Sequence, residues 1–195
     1  MSRSLPLVVV IPGIGGSELA DASGTIVYRA GLGPLLSVGR DPSVLDPNNK
    51  LHPVGLIGPC SLICWQLITG YDGLLSGITT GLGLSPGHVV TAGAELVDPD
   101  ATVVAFPYDF RRSVEQIAND LDRVVCERAQ GRRVVLVAHS MGGLVAAWWW
   151  AFLSEGIEVD QIITLGTPFR GAAKALNVLV NGMRIGPFDV PQAVT

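Results

Sequence analysis

The run Arg133-Val134-Val135-Leu136-Val137-Ala138-His139-Ser140-Met141-Gly142-Gly143 leaves this chain few ways to fold. Val134 to Val137 are apolar and mostly β-branched, which predicts a buried strand. An apolar, helix-like stretch follows Gly143. Between the two stands one hydroxyl, Ser140, with Ala138 before it and Gly142 after it, because a sharp turn leaves no room there for bulk. A strand, a tight turn and a helix with serine at the corner lift the serine oxygen clear of a sheet edge, where a substrate can reach it. Ala138 stands where this pattern takes glycine, a difference of one methyl group. The competing reading makes Ser140 an ordinary helix cap.

A length of 195 residues suits one domain with a substantial core. Hydrophobic residues at 48% against 15% charged fit parallel strands buried on both faces. A net charge of -4 provides no footprint for nucleic acid, and no block of like charges marks an anionic-membrane patch. Cys60, Cys64 and Cys126 lack zinc spacing, so reduced thiols are expected. The apolar run Leu5 to Ile11 is short and ends at Pro12-Gly13 without a small-residue cleavage site, which makes it a first strand rather than a signal peptide. No segment has the length of apolar sequence that a membrane span needs. These features set the expectation of a cytoplasmic protein with no transmembrane segment, no cofactor motif and no metal site.

In chain order, Leu7 to Ile11 feeds Pro12-Gly13-Ile14-Gly15-Gly16-Ser17-Glu18-Leu19. A nucleotide-binding reading of this glycine-rich loop fails: no Gly-Lys-Ser/Thr follows, and Glu18 stands where a dinucleotide fingerprint needs its last glycine. The loop instead offers backbone N–H groups at the carboxyl edge of a sheet, the donors that an oxyanion requires. Residues 20–100 form a long, loop-rich excursion within a single 1–195 domain, punctuated by Pro34, Pro42, Pro47 and Pro53. Leu62 to Leu75 is expected to be an amphipathic helix broken near Gly70. Gly83-Leu84-Ser85-Pro86-Gly87 matches the G-x-S-x-G pattern letter for letter, but no strand runs into it and Pro86 favours a loop, so Ser85 is set aside. Ala101 to Phe106 reads as a strand ending in Pro107-Tyr108-Asp109-Phe110-Arg111-Arg112. Ser113 and Gln116 form a capping box for a helix with Val114, Ile117, Ala118, Leu121, Val124 and Val125 on one face, stopped at Gly131. The helix after Ser140 runs to Gly156, and its Trp148-Trp149-Trp150 run cannot all face one way, with core packing the expected use. Ile162 to Leu165 is a further strand, Ala172 to Val180 a helical run, and Gly182 to Thr195 loop-like. Strands alternating with helices predict an α/β fold, a parallel sheet with its site at the strands' carboxyl ends.

Four stretches occur in one order: Pro12 to Ser17, Phe106 to Arg111, Ala138 to Gly143, and Leu165-Gly166-Thr167-Pro168-Phe169-Arg170-Gly171. Together they resemble the lecithin:cholesterol acyltransferase family of α/β-hydrolases. The serine turn alone would indicate only an α/β-hydrolase; the Pro-Tyr-Asp-aromatic-Arg segment makes the resemblance family-specific. The resemblance implies an α/β-hydrolase-like parallel-sheet core that ends after the strand following the serine's helix. It implies Ser140 as nucleophile, with the backbone N–H groups of Met141 and Ile14 as the oxyanion hole, and a lipid or other ester as substrate. Asp109 and Arg111 match family positions near the site, and a structural ion pair or loop hydrogen bonds is the favoured reading for them. The fold's order is serine, then acid, then histidine. Here no histidine follows Ser140; His139 adjoins it, His52 and His88 precede it, and nothing places Asp189 at a strand end. The expectation is a serine-dependent acyltransferase or lipase that is an incomplete catalytic unit, without a recognisable acid or histidine. The alternatives are a truncated, inactive hydrolase-like chain and a generic carboxylesterase.

Overall fold

Parallel pairing of short β-branched runs builds the centre of the molecule. A computed structural model describes residues 5–29, 42–58, 60–62, 65–68, 70–85, 88–93, 101–173, 177, 183–185 and 188–190. Its strands are β1 (Leu7–Ile11), β2 (Ser17–Ala20), β3 (Ile26–Tyr28), β4 (His52–Leu56), β5 (Cys60–Leu62), β6 (Trp65–Ile68), β7 (Val89–Thr91), β8 (Val103–Ala105), β9 (Val134–His139), β10 (Val159–Leu165), β11 (Met183–Ile185) and β12 (Phe188–Val190). The helices used below are α1 (Asp72–Gly81), α2 (Val114–Ala129) and α3 (Met141–Phe152).

The main sheet has the order β10-β9-β1-β8-β7, and every neighbouring pair in it is parallel. Successive side chains of a strand point to opposite faces, and β1 buries both. Leu7, Val9 and Ile11 join a core with Ile117 and Leu121 of α2 and Val145 and Trp149 of α3. Val8 and Val10 join a second core with Tyr71 and with Leu74, Leu75 and Ile78 of α1. The sheet is therefore the middle layer of three, as the α/β expectation required.

The capping box of α2 forms as expected: the Ser113 hydroxyl accepts the Gln116 N–H at 3.2 Å, and the Gln116 side-chain oxygen accepts the Ser113 N–H at 3.3 Å. The helix closes at Gln130, in the left-handed region at φ 46, followed by Gly131 at φ 77. The tryptophan run splits. Trp149 is fully buried and donates its indole N–H to Asp122 at 2.9 Å, tying α3 to α2, while Trp150 is 60% exposed.

The chain departs from the sequence-based reading in four places. The helix expected over Leu62 to Leu75 is instead the antiparallel pair β5–β6 followed by α1, which starts at Asp72. Gly70, at φ 50, takes a turn conformation that ends any continuous helix there. The loop-rich excursion contributes β3 and β4 to an antiparallel sheet β3-β2-β4, whose middle strand starts at Ser17 within the glycine-rich stretch, with Pro53 tolerated on its edge strand. β7 has only three residues and no sequence signal of its own. Gly182 to Thr195 carries the hairpin β11–β12 rather than loop alone. The helical run expected over Ala172 to Val180 lies largely outside the described residues, as do the side chains of Cys60 and Cys64; Cys126 is free and exposed.

Trp149→Ala should lower the unfolding free energy in urea by about 3–5 kcal/mol, whereas Trp150→Ala should change it by no more than about 0.5 kcal/mol.

Candidate active site

Because the sheet is parallel, the segments following β10, β9, β1 and β8 all emerge at one edge, side by side. These are Gly166–Gly171, the turn at Ser140, the loop Pro12–Gly16 and the segment Phe106–Arg112, so four stretches scattered over the sequence meet at one place. Ser85 precedes β7 and therefore lies at the opposite, amino-terminal edge.

Ser140 joins β9 to α3 with φ 50 and ψ -119. A non-glycine residue held there carries about 1–3 kcal/mol of strain. A serine acting as a helix cap sits in extended backbone and gives its oxygen to the helix's first N–H groups. Ser140 does neither: its side chain makes no cap hydrogen bond. Its backbone is held on both sides, with its N–H donating to Leu165 O at 2.8 Å and its carbonyl accepting the Gly143 N–H at 3.0 Å. The two glycines after it are required by close approach. A Cβ on Gly142 would strike the Pro12 carbonyl and Ile11, and one on Gly143 would strike Thr167.

Ile14 stands in the loop after β1, 68% exposed. Met141 opens α3, so its N–H has no acceptor within the helix. Among the described residues neither N–H has a hydrogen-bond acceptor. The loop is fixed from below by Tyr108, a buried residue of the segment after β8. Its hydroxyl donates to Pro12 O at 2.8 Å, and its own N–H donates to the buried Ser17 hydroxyl at 2.9 Å. Burial, with a smaller contribution from nearby Tyr71, pushes the Tyr108 phenol far above its ordinary value, so it remains a donor. These anchoring roles of Tyr108 and Ser17 were missed in the sequence, although both residues lie inside the stretches that it singled out.

Asp109 and Arg111 form a bidentate ion pair, Nε to Oδ1 at 2.8 Å and a terminal guanidinium nitrogen to Oδ2 at 2.7 Å, with both side chains buried. The rest of the guanidinium donates to the backbone carbonyls of Asp46 and Asn49, pinning the turn that precedes β4 to the site's edge. Burial opposes ionisation of Asp109, but the Arg111 hydrogen bonds and charges outweigh it and hold the carboxyl below its ordinary value.

No described side chain hydrogen-bonds the Ser140 hydroxyl. His139 turns its Nδ1 to Tyr71 instead, at 2.8 Å. His52 lies in β4 of the separate antiparallel sheet, and His88 precedes β7 at the far edge. Asp189 lies in β12, paired with Arg184 in a hairpin separate from the main sheet. Among the described residues no cluster of His, Cys, Asp or Glu could hold a metal, and no helix is long and apolar enough to cross a membrane.

The model of the lecithin:cholesterol acyltransferase family matches residues 88–192, a stretch that includes Tyr108, Asp109, Arg111 and Ser140 but not Ile14. The Arabidopsis thaliana protein named phospholipase A(1) LCAT3 is 32% identical over 88 residues, covering 39% of this chain and 19% of that protein. The chain thus spans only a minor part of the length of this curated relative. No solved structure matches the chain.

Arg111→Ala strands a buried carboxylate and should cost about 3–5 kcal/mol at neutral pH. Because the folded-state ionisation of Asp109 is lowered, the pair's contribution is complete above the ordinary carboxylate range, near pH 4, and is lost as pH falls through the lowered folded value. Urea unfolding measured from pH 7 downward should therefore show a shallower acid loss in Asp109→Asn than in the unsubstituted chain.

Proposed function

The chain belongs to the lecithin:cholesterol acyltransferase family, and from that premise we propose that Ser140 is the nucleophile of a serine acyl-transfer centre acting on ester lipids. The observation that carries this reading is the strained turn at Ser140, whose hydroxyl is left out of the helix cap that the same position would normally supply. Strain of this kind persists where the surrounding contacts hold it, and it is a frequent mark of functional positions.

In the proposed chemistry the Ser140 oxygen attacks the carbonyl carbon of the lipid ester. The carbonyl oxygen gathers negative charge, and the N–H groups of Met141 and Ile14 stabilise it. Donors fixed before the reaction act without reorganisation, and the loss of one such donor in other serine enzymes costs about 10²–10³ in rate. Collapse expels the alcohol portion of the lipid and leaves the acyl group on Ser140. Water then releases a fatty acid, or a second alcohol takes the acyl group. The relative's name, a phospholipase A(1), supports an ester phospholipid as acyl donor.

The described residues supply no base to Ser140, and an unassisted hydroxyl stays protonated and weakly nucleophilic. This favours a second reading of the 195-residue chain taken alone, in which Ser140 can be modified once but does not turn over.

An alkyl fluorophosphonate in excess should label the chain at Ser140, slowly because no described side chain takes the proton, forming a serine O–P bond as fluoride leaves and the hydroxyl proton passes to water. Ser140→Ala should remove the label, and labelling that survives this substitution sinks the assignment. Fatty-acid release from phosphatidylcholine vesicles that Ser140→Ala abolishes would reject the second reading.

A further inference from the structure

We infer that Tyr71 is a positioning residue for the oxyanion loop, its hydroxyl latching the loop after β1 to the turn at Ser140; the inference rests on the roles proposed for Ser140 and Ile14. Tyr71 directly precedes α1, on the sheet face opposite α2 and α3, and is buried. Its backbone is tied in both directions: its N–H donates to Ile57 O at 3.1 Å, and its carbonyl accepts the Leu75 N–H at 2.9 Å. From that base its hydroxyl reaches two residues remote in sequence. It accepts the Gly13 N–H at 2.8 Å and lies 2.8 Å from His139 Nδ1.

The peptide between Pro12 and Gly13 is consequently clamped at both polar ends by phenols. Tyr108 donates to its carbonyl, and Tyr71 accepts from its N–H. In the next peptide the Gly13 carbonyl accepts the Gly16 N–H at 2.9 Å. The remaining polar group of that peptide is the Ile14 N–H, so three hydrogen bonds fix the direction in which it points. The loop also touches the turn directly: a Cβ on Gly13 would lie 3.0 Å from both His139 Nδ1 and the Ser140 Cβ.

A phenol has one proton. Because the Tyr71 oxygen accepts from Gly13, its own proton is available for His139 Nδ1, an arrangement that leaves the His139 ring proton on Nε2. Burial holds the Tyr71 phenol above its ordinary value, so the proton stays in place. His139, next to the nucleophile, is thus an acceptor for the latch.

Tyr71→Phe keeps the ring and removes the latch. In the 195-residue chain this variant should speed amide exchange at Gly13 by about tenfold or more. It should also abolish the preference of His139 for the Nε2–H tautomer, read from its ring nitrogen shifts. Fluorophosphonate labelling of Ser140 should slow by about 10–100-fold, since a misplaced donor carries a penalty of that order. Leu74→Ala, which removes a core contact of α1 on the same face, should lower stability while leaving the labelling rate unchanged. Unchanged exchange at Gly13 overturns the latch. Labelling at the unsubstituted rate despite faster exchange overturns the positioning role. An unsubstituted chain that takes no label at Ser140 even on prolonged exposure to excess probe overturns the nucleophile reading and the role of Tyr71 with it, and is distinguished by needing no variant to appear.

Discussion

The pairing of β1 with β9 is the constraint on which the rest depends. The two strands run parallel in unbroken register from Leu7 opposite Val134 to Ile11 opposite Ala138. A parallel ladder brings both strands to the same edge together, so the chain leaves β1 at Pro12 just where it leaves β9 toward Ser140. A slip by one residue would turn every β1 side chain to the wrong face, and both faces of β1 are buried in different cores. Register is thereby fixed by packing on two sides, and with it the approach of Gly13 and the Pro12 carbonyl to the turn.

The turn is a local cost borne by its surroundings. Ser140 sits at positive φ without glycine's freedom and without the stabilisation of a cap. The neighbouring elements offset this. β10 accepts the Ser140 N–H through Leu165 O, and Trp149 locks α3 onto α2 through Asp122. On the other side Tyr108 anchors the first loop, and the Asp109–Arg111 pair ties the turn before β4 to the same edge. Two phenols, a buried hydroxyl and one ion pair together hold the loop and the neighbouring turn in place.

What could be read from the sequence follows the length and regularity of each signal. β1, β9 and α2 announced themselves because each is a run long enough to display its period, and Ser113 with Gln116 marked the start of α2 to the residue. Strand–helix alternation was enough to bring the four stretches to one sheet edge. β7 and the antiparallel strands of the excursion have three to five residues each, too few to show a period, and their partners are supplied by tertiary structure. The helix expected over Leu62 to Leu75 took apolar spacing for helical phase, although strands precede Gly70 and α1 begins only after it. The context that excluded Ser85 was legible, since a serine without an incoming strand cannot stand at a strand's carboxyl end. Tyr71 was not legible at all: its part depends on meeting Gly13 across 58 residues and His139 across 68.

In the proposed chemistry the loop and the turn form one preformed pocket for a developing oxyanion. The structure of the chain carrying a phosphonyl group tests it most directly, because that group mimics the tetrahedral oxygen. The phosphonyl group should sit on the Ser140 oxygen, with its free oxygen about 2.7–3.1 Å from the backbone nitrogens of both Ile14 and Met141. A phosphonyl oxygen turned to solvent, or held by neither of these N–H groups, would contradict it.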